Sequence, residues 1–241
     1  LGPEIVVNVT AERERVTSAI TNSQGVDYSH AATSVSLEAD VTDAREGDIH
    51  EAFDVEFGWE ARDVDVDRLV RALCDYYRAG KEATTVPTGK AAVILHPFCV
   101  YQFLLPLVVA LNGDRVKDGS SPLRDRLGQQ ILSEALTLYD DPLWPASPQS
   151  APFDAEGVVA SRRDLIENGV LRGFNHTLET AATLGCAASG GATRNQDGKA
   201  EGGAFNLMLK PGKGTSADLI TSCDRVLFLR YLSGSGQSTV L

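Results

Sequence analysis

Residues 153–174 read FDAEGVVASRRDLIENGVLRGF, and the architecture turns on them. Two apolar, β-prone runs, Arg163 to Ile166 and Val170 to Phe174, flank Asn168-Gly169. That dipeptide tolerates the positive φ angles of a tight type I′ turn, so the spacing predicts a two-stranded hairpin. Upstream, residues 136–154 read LTLYDDPLWPASPQSAPFD. All of Gly119 to Pro152 is turn-rich and reads as a long ordered loop, with Leu143 and Trp144 expected to pack against something. Downstream come a short helix from Glu179 to Leu184, a Gly-rich segment from Ser189 to Gly203 and a strand at Phe205 to Leu209. A helix opened by Ser216 with Asp218 and a strand at Arg225 to Leu232 follow.

Toward the amino terminus, Ile5 to Val9 and Arg15 to Ile20 read as two strands, the second closed by the turn cluster Asn22-Ser23-Gln24-Gly25. Ser34 to Val41 alternates, placing Val35, Leu37, Ala39 and Val41 on one side of a half-buried strand. Between Asp63 and Ala79 the period changes, and Val66, Leu69, Val70, Leu73, Cys74 and Tyr77 form one helical stripe. Asp63, Asp65 and Asp67 at its start and Arg78 at its end suit the helix dipole, and Gly80 is expected to stop it. Ala91 to Leu95 is a short apolar strand. Pro97 then opens a helix expected to be buried, and kinked or divided at Pro106. No fixed-period repeat and no regular βαβ alternation is present, so the class is α+β: mixed, largely antiparallel sheets with a few packed helices. The expected domains are residues 1–90, a sheet with its amphipathic helix, and residues 91–241.

With 33 acidic and 22 basic residues the net charge is −11, which disfavours general attraction to nucleic-acid phosphates. The longest apolar stretch, Phe98 to Leu111, contains Gln102 and Pro106 and falls short of the roughly 20 residues that span a bilayer. Four cysteines, Cys74, Cys99, Cys186 and Cys223, form no CxxC pair and are expected to be reduced. The opening LGPEIVVNV has no basic start before a long apolar core, so a cytoplasmic location is the expectation. Met208 as the lone methionine and the closing run SGSGQSTVL suggest a piece of a longer protein.

The four histidines, His30, His50, His96 and His176, show no ligand spacing, and the two imidazoles one helical turn apart that a metallopeptidase needs are missing. His96 stands out slightly, at a strand end before a helix. No G-x-S-x-G elbow or phosphate loop occurs, and the glycine runs Gly185–Gly191 and Gly198–Gly203 read as turns. Close approach of an extended peptide is their functional alternative. Asp154, Glu156 and Glu167 read as turn caps or solvated carboxylates, and Arg162 and Arg163 beside Asp164 likewise as solvated.

PFDAEGVVASRRDLIENGVL and the later NLMLKPG, with GSSPLRDRLGQQILSEALTLYDDP before them, resemble the TldD/PmbA family of peptide-maturation or gyrase-modulator proteins. The resemblance runs from the Asn22–Gly25 turn to Ser216–Ile220. It implies that residues 1–90 are the central part of that fold and residues 91–241 its carboxy-terminal domain, truncated. In the family one subunit carries a His-Glu-x-x-x-His helix and is a zinc metallopeptidase, while the PmbA or TldE type lacks it and pairs with the first. At the corresponding place, after AAVILHP, this chain reads FCVYQFLLPLVVALNGD, so no catalytic residue is carried over.

The resemblance therefore implies a non-catalytic subunit without its own cofactor, with zinc in a TldD-like partner and unfolded peptides as substrate. Asp154, Glu156, Asn168, Gly169 and Arg194, in the hairpin region and the Gly-rich segment, are the candidate peptide or partner contacts. Two alternatives stay open: an enzyme with a degenerate zinc site drawn from His96, Cys99 and His176, and a free-standing interaction protein of the gyrase-modulator type.

Overall fold

The computed structural model describes residues 5–45, 48–82, 84–145, 147–223 and 225–232. The closing run Ser233 to Leu241 lies outside the described residues. The chain divides into two compact units, Leu1–Pro87 with Trp144–Ser150, and Thr88–Leu143 with Ala151–Leu241.

In the first unit, β1 (Ile5–Thr21), β2 (Asp27–Arg45) and β3 (Asp48–Gly58) form an antiparallel sheet in that order. The expectation of two separate strands before Thr21 is corrected. β1 runs unbroken through Glu12-Arg13-Glu14-Arg15, paired residue by residue from Ile5↔Asp43 to Thr21↔Asp27. Its backbone ladder holds it, since residues 6–19 are exposed throughout. The Asn22 side chain accepts hydrogen bonds from Gln24 N and Val26 N, and Gly25, at φ +90°, closes the turn.

Helix α1 (Val66–Gly80) lays Leu69 and Leu73 on Ala39 and Val41 of β2 and Ala52 of β3, the core of this unit. Burying each leucine is worth roughly 1.5–3 kcal/mol. Asp65 caps the helix by accepting from Arg68 N at 2.8 Å. Tyr77 donates to Asp43 at 2.7 Å, and Arg68 pairs with Asp54 and Glu56, so the carboxylates on this face of the sheet are answered by the helix. α1 ends at Gly80, as its sequence suggested, and Lys81 is the cap. A Cβ at residue 80 would overlap the His50 imidazole, which stacks on Tyr77, and that close approach requires the glycine.

The second unit contains, in chain order, β4 (Ala92–Leu95), α2 (Pro97–Ala110), α3 (Gly113–Lys117), β5 (Leu138–Asp140), β6 (Arg163–Glu167), β7 (Val170–Leu171) and α4 (Leu178–Leu184). β8 (Ala192–Arg194), β9 (Ala200–Gly202), β10 (Leu207–Leu209), α5 (Ser216–Thr221) and β11 (Val226–Leu229) follow. A four-stranded antiparallel sheet has the order β10-β5-β6-β7; β8 and β9 form a hairpin, and β4 and β11 a parallel pair. Long antiparallel ladders with few helices make this an α+β fold, as the sequence implied.

Local expectations between residues 97 and 152 are refined as follows. The 119–152 segment is not only loop, because β5 within it is a central strand. Leu143 and Trp144 remain 55% and 37% exposed. α2 continues undivided through Pro106, and it is not buried all round, with Tyr101 58% and Phe103 50% exposed. Its inner side meets a core of Ala110, Leu111, Val116, Leu123, Leu138, Leu165, Ile166, Leu171 and Phe174.

Candidate functional site

Asn168 and Gly169 adopt φ +47° and +77°, the two positive angles of the expected turn, with Glu167 opposite Val170. Their backbone polar groups are engaged locally. Asn168 N donates to Thr137 Oγ1 at 3.0 Å and Gly169 N to the Leu136 carbonyl at 2.7 Å. Gly169 O accepts from Ile131 N and Leu132 N, while Gly128 N and Gln129 O bond the Leu171 backbone. Residues 128–132 thus cover the outer edge of β7, where an extended peptide would have to add.

Asp154, Glu156 and Arg194 are similarly committed. Asp154 is buried, and its carboxylate accepts from Glu156 N, Val158 N and Ala192 N at 2.9 to 3.0 Å. Glu156 accepts from Leu178 N at the start of α4. Arg194 donates to the Gly198 and Ala155 carbonyls at 2.7 and 3.0 Å. The three bind loops to one another, so their placement gives them a structural task whatever else they contact.

The strongest polar arrangement in this unit was missed in the sequence. Asp140 is fully buried; one oxygen accepts from Asn206 N and the other from Arg163 Nη2, both at 2.9 Å. Arg163 Nη2 also donates to the Gly203 carbonyl at 2.8 Å, and a Cβ at Gly191 would overlap the guanidinium. Arg163 Nε and Nη1 are buried without a hydrogen-bond partner among the described residues. The expectation that Arg163 is solvated is therefore corrected. Its phase with the buried Leu165 on β6 was the available signal.

His96, Cys99 and His176 make a poor zinc donor set. His96 Nδ1 accepts from Phe98 N at the start of α2, and its ring lies against Phe98 and Phe228. Cys99 is fully buried, and burial pushes its thiol pKa up, away from the thiolate a metal binds. His176 Nδ1 lies 3.4 Å from Thr180 Oγ1. Burial first, then the charge of Arg163, holds its imidazole below the ordinary pKa. Among the described residues no three His, Cys, Asp or Glu side chains gather as a metal site. These residues do not fit a zinc ion.

The open edge of this sheet is β10. Asp141 N donates to Asn206 O and Lys210 N to Thr137 O, so the even-numbered residues of this strand face β5. Leu207 and Leu209 consequently direct their N–H and C=O groups outward, where no described residue pairs with them.

Residues 88–240, more than half of the chain, match the sequence profile of the PmbA/TldA metallopeptidase C-terminal domain. The chain belongs to this family. It is 31% identical over 192 residues to Metalloprotease PmbA of Escherichia coli O157:H7, covering 78% of this chain and 43% of that one. A metalloprotease of Methanothermobacter thermautotrophicus is 31% identical over 176 residues, 73% of this chain and 38% of that one. The crystal structure of TldE from Thermococcus kodakarensis superposes with a TM-score of 0.82 at 25% identity, covering 94% of this chain and 52% of that chain.

The resemblance read from FDAEGVV and NLMLKPG is thereby borne out at the level of family and fold. The PmbA/TldA chain described here spans less than half the length of these curated relatives. Among its described residues no helix is long and apolar enough to cross a membrane.

Proposed function

We propose that this PmbA/TldA-family chain is a PmbA/TldE-like, non-catalytic subunit of a two-subunit metallopeptidase that acts on unfolded peptides, its zinc held by a TldD-like companion. The observation that carries the reading is the content of α2. This helix follows AAVILHP, where the resemblance locates the His-Glu-x-x-x-His ligands, yet it contains no His, Asp or Glu. Hydrolysis by a bound zinc needs nitrogen or oxygen ligands and a base beside the attacking water. α2 offers a buried thiol and the exposed rings of Tyr101 and Phe103.

The likeness to TldE supports the same assignment. A peptide-handling role draws support from β10, whose outward backbone groups at Leu207 and Leu209 suit addition of an extended chain without regard to its side chains. The β6–β7 hairpin, with its outer edge already covered, is the weaker place for that addition.

The test uses the full-length protein on an unstructured peptide, with products followed by mass spectrometry, alone and mixed with a TldD-like subunit carrying the ligand helix. No cleavage by the protein alone and cleavage by the mixture are expected. Robust cleavage by the protein alone overturns the proposal.

A further inference from the structure

Among the described residues no strand pairs with the outer edge of β1, and that edge follows a strict alternation. Asn22 N donates to Val26 O just beyond the last pair, Thr21↔Asp27, so even-numbered residues of β1 exchange hydrogen bonds with β2. Odd-numbered residues from Val7 to Ala19 turn their N–H and C=O groups outward, and no described residue meets them. Such an edge is a template for another strand. At its middle stand Glu12, Arg13, Glu14 and Arg15, opposite the uncharged Ser36, Val35, Ser34 and Thr33 of β2. All four are exposed, and none forms an ion pair among the described residues. Side chains alternate across a strand, so both glutamates project from one face and both arginines from the other.

We propose that this edge receives an extended strand from a different chain, one with basic residues on the glutamate face and acidic residues on the arginine face, and that the same four charges turn away a second copy of this chain. Two copies related by a two-fold axis pair their β1 strands antiparallel. Only odd-numbered residues have outward hydrogen-bonding groups, so odd must face odd and even must face even. In every register that overlaps the charged run, each charge then meets a like charge or a neutral residue. With Arg13 facing Arg13, for example, Glu12 faces Glu14. Like charges directly opposite destabilise a ladder, and opposite charges stabilise it. A complementary strand of another chain converts each of these contacts from repulsive to attractive. The inference stands independently of the metallopeptidase reading, since it uses only the geometry and charge of β1.

The test is a swap of the four charges in the full-length protein, E12R/R13E/E14R/R15E. All four positions are exposed, and retention of the fold is checked by circular dichroism and the thermal midpoint. The swapped chain repels itself for the same reason, but it complements the original in the register that repels two originals. Sedimentation of each protein alone and of the equimolar mixture reads the outcome. The mixture is expected to associate on the order of tenfold or more tightly than either protein alone, and to weaken as salt is added. Self-association of either protein as tight as that of the mixture, or no association in the mixture, overturns the proposal.

Discussion

The first unit stretches strands of 17, 19 and 11 residues over a core of five buried side chains, whereas the second holds strands of two to five residues around nine. In the long ribbon the backbone ladder does most of the ordering, and the side chains of residues 6–19 on β1 stay in water. In the short sheet each strand is fixed by what surrounds it: residues 128–132 along β7, Asp140 reaching Asn206 and Arg163, and a contiguous apolar interior. The contrast teaches that strand length and strand burial are separate properties here. Among the described residues the ribbon leaves the long edge of β1 unpaired, and the compact sheet leaves β10.

The sharpest way to break the comparison is Asp140→Ala, which strands the largely buried Arg163 without its counter-charge. A loss of about 3–5 kcal/mol is expected in urea unfolding, far beyond what any single charge on β1 supplies. Next, Ile166→Ala, at a fully buried position of the hairpin, is expected to cost about 2–5 kcal/mol, while Val9→Ala, at a position 64% exposed, stays within about 0.5 kcal/mol. Equal effects from the two would erase the distinction between the units. Smaller still, Asp65→Ala removes the α1 cap, for an expected loss of about 1 kcal/mol read from the thermal midpoint.

Acidification sharpens the comparison from another side. His176 has a folded pKa below its ordinary 6.5, so the unfolded chain takes up its proton first. Its contribution is fully present above that value and is lost as the pH falls through it toward the folded pKa. The urea midpoint is expected to drop as the pH falls through the ordinary histidine value and toward the lower folded pKa, and His176→Gln is expected to flatten that drop. An unchanged slope in the variant would assign the acid sensitivity elsewhere.

Much of the fold was legible where a residue's own chemistry dictates its conformation. Asn168-Gly169 specified the hairpin turn, the Val66-to-Tyr77 stripe specified α1, and alternation from Val35 to Val41 gave the inward face of β2. Other elements depend on partners distant in sequence. β5 is three residues, Leu138–Asp140, made a strand by β6 and β10 on either side. The charged middle of β1 reads as a break because its order comes from β2. Arg163 reads as a surface residue because Asp140, 23 positions earlier, is what draws it inward. Gly80 ends α1, and its second task, making room for His50, comes from a strand 30 positions earlier. Asp154, Glu156, Asn168, Gly169 and Arg194 read as contact candidates because they lie in the hairpin region and the Gly-rich segment. The structure gives each a loop-fixing bond, while the open backbone at Leu207 and Leu209 left no side-chain signature to read.

The central claim is that this chain is the metal-free member of a pair, and zinc content tests it most directly. Full-length protein, purified alone without chelator or an affinity-tag metal, would be analysed by inductively coupled plasma mass spectrometry against its molar concentration. The account predicts zinc far below one ion per chain. Stoichiometric zinc that survives buffer exchange would contradict it.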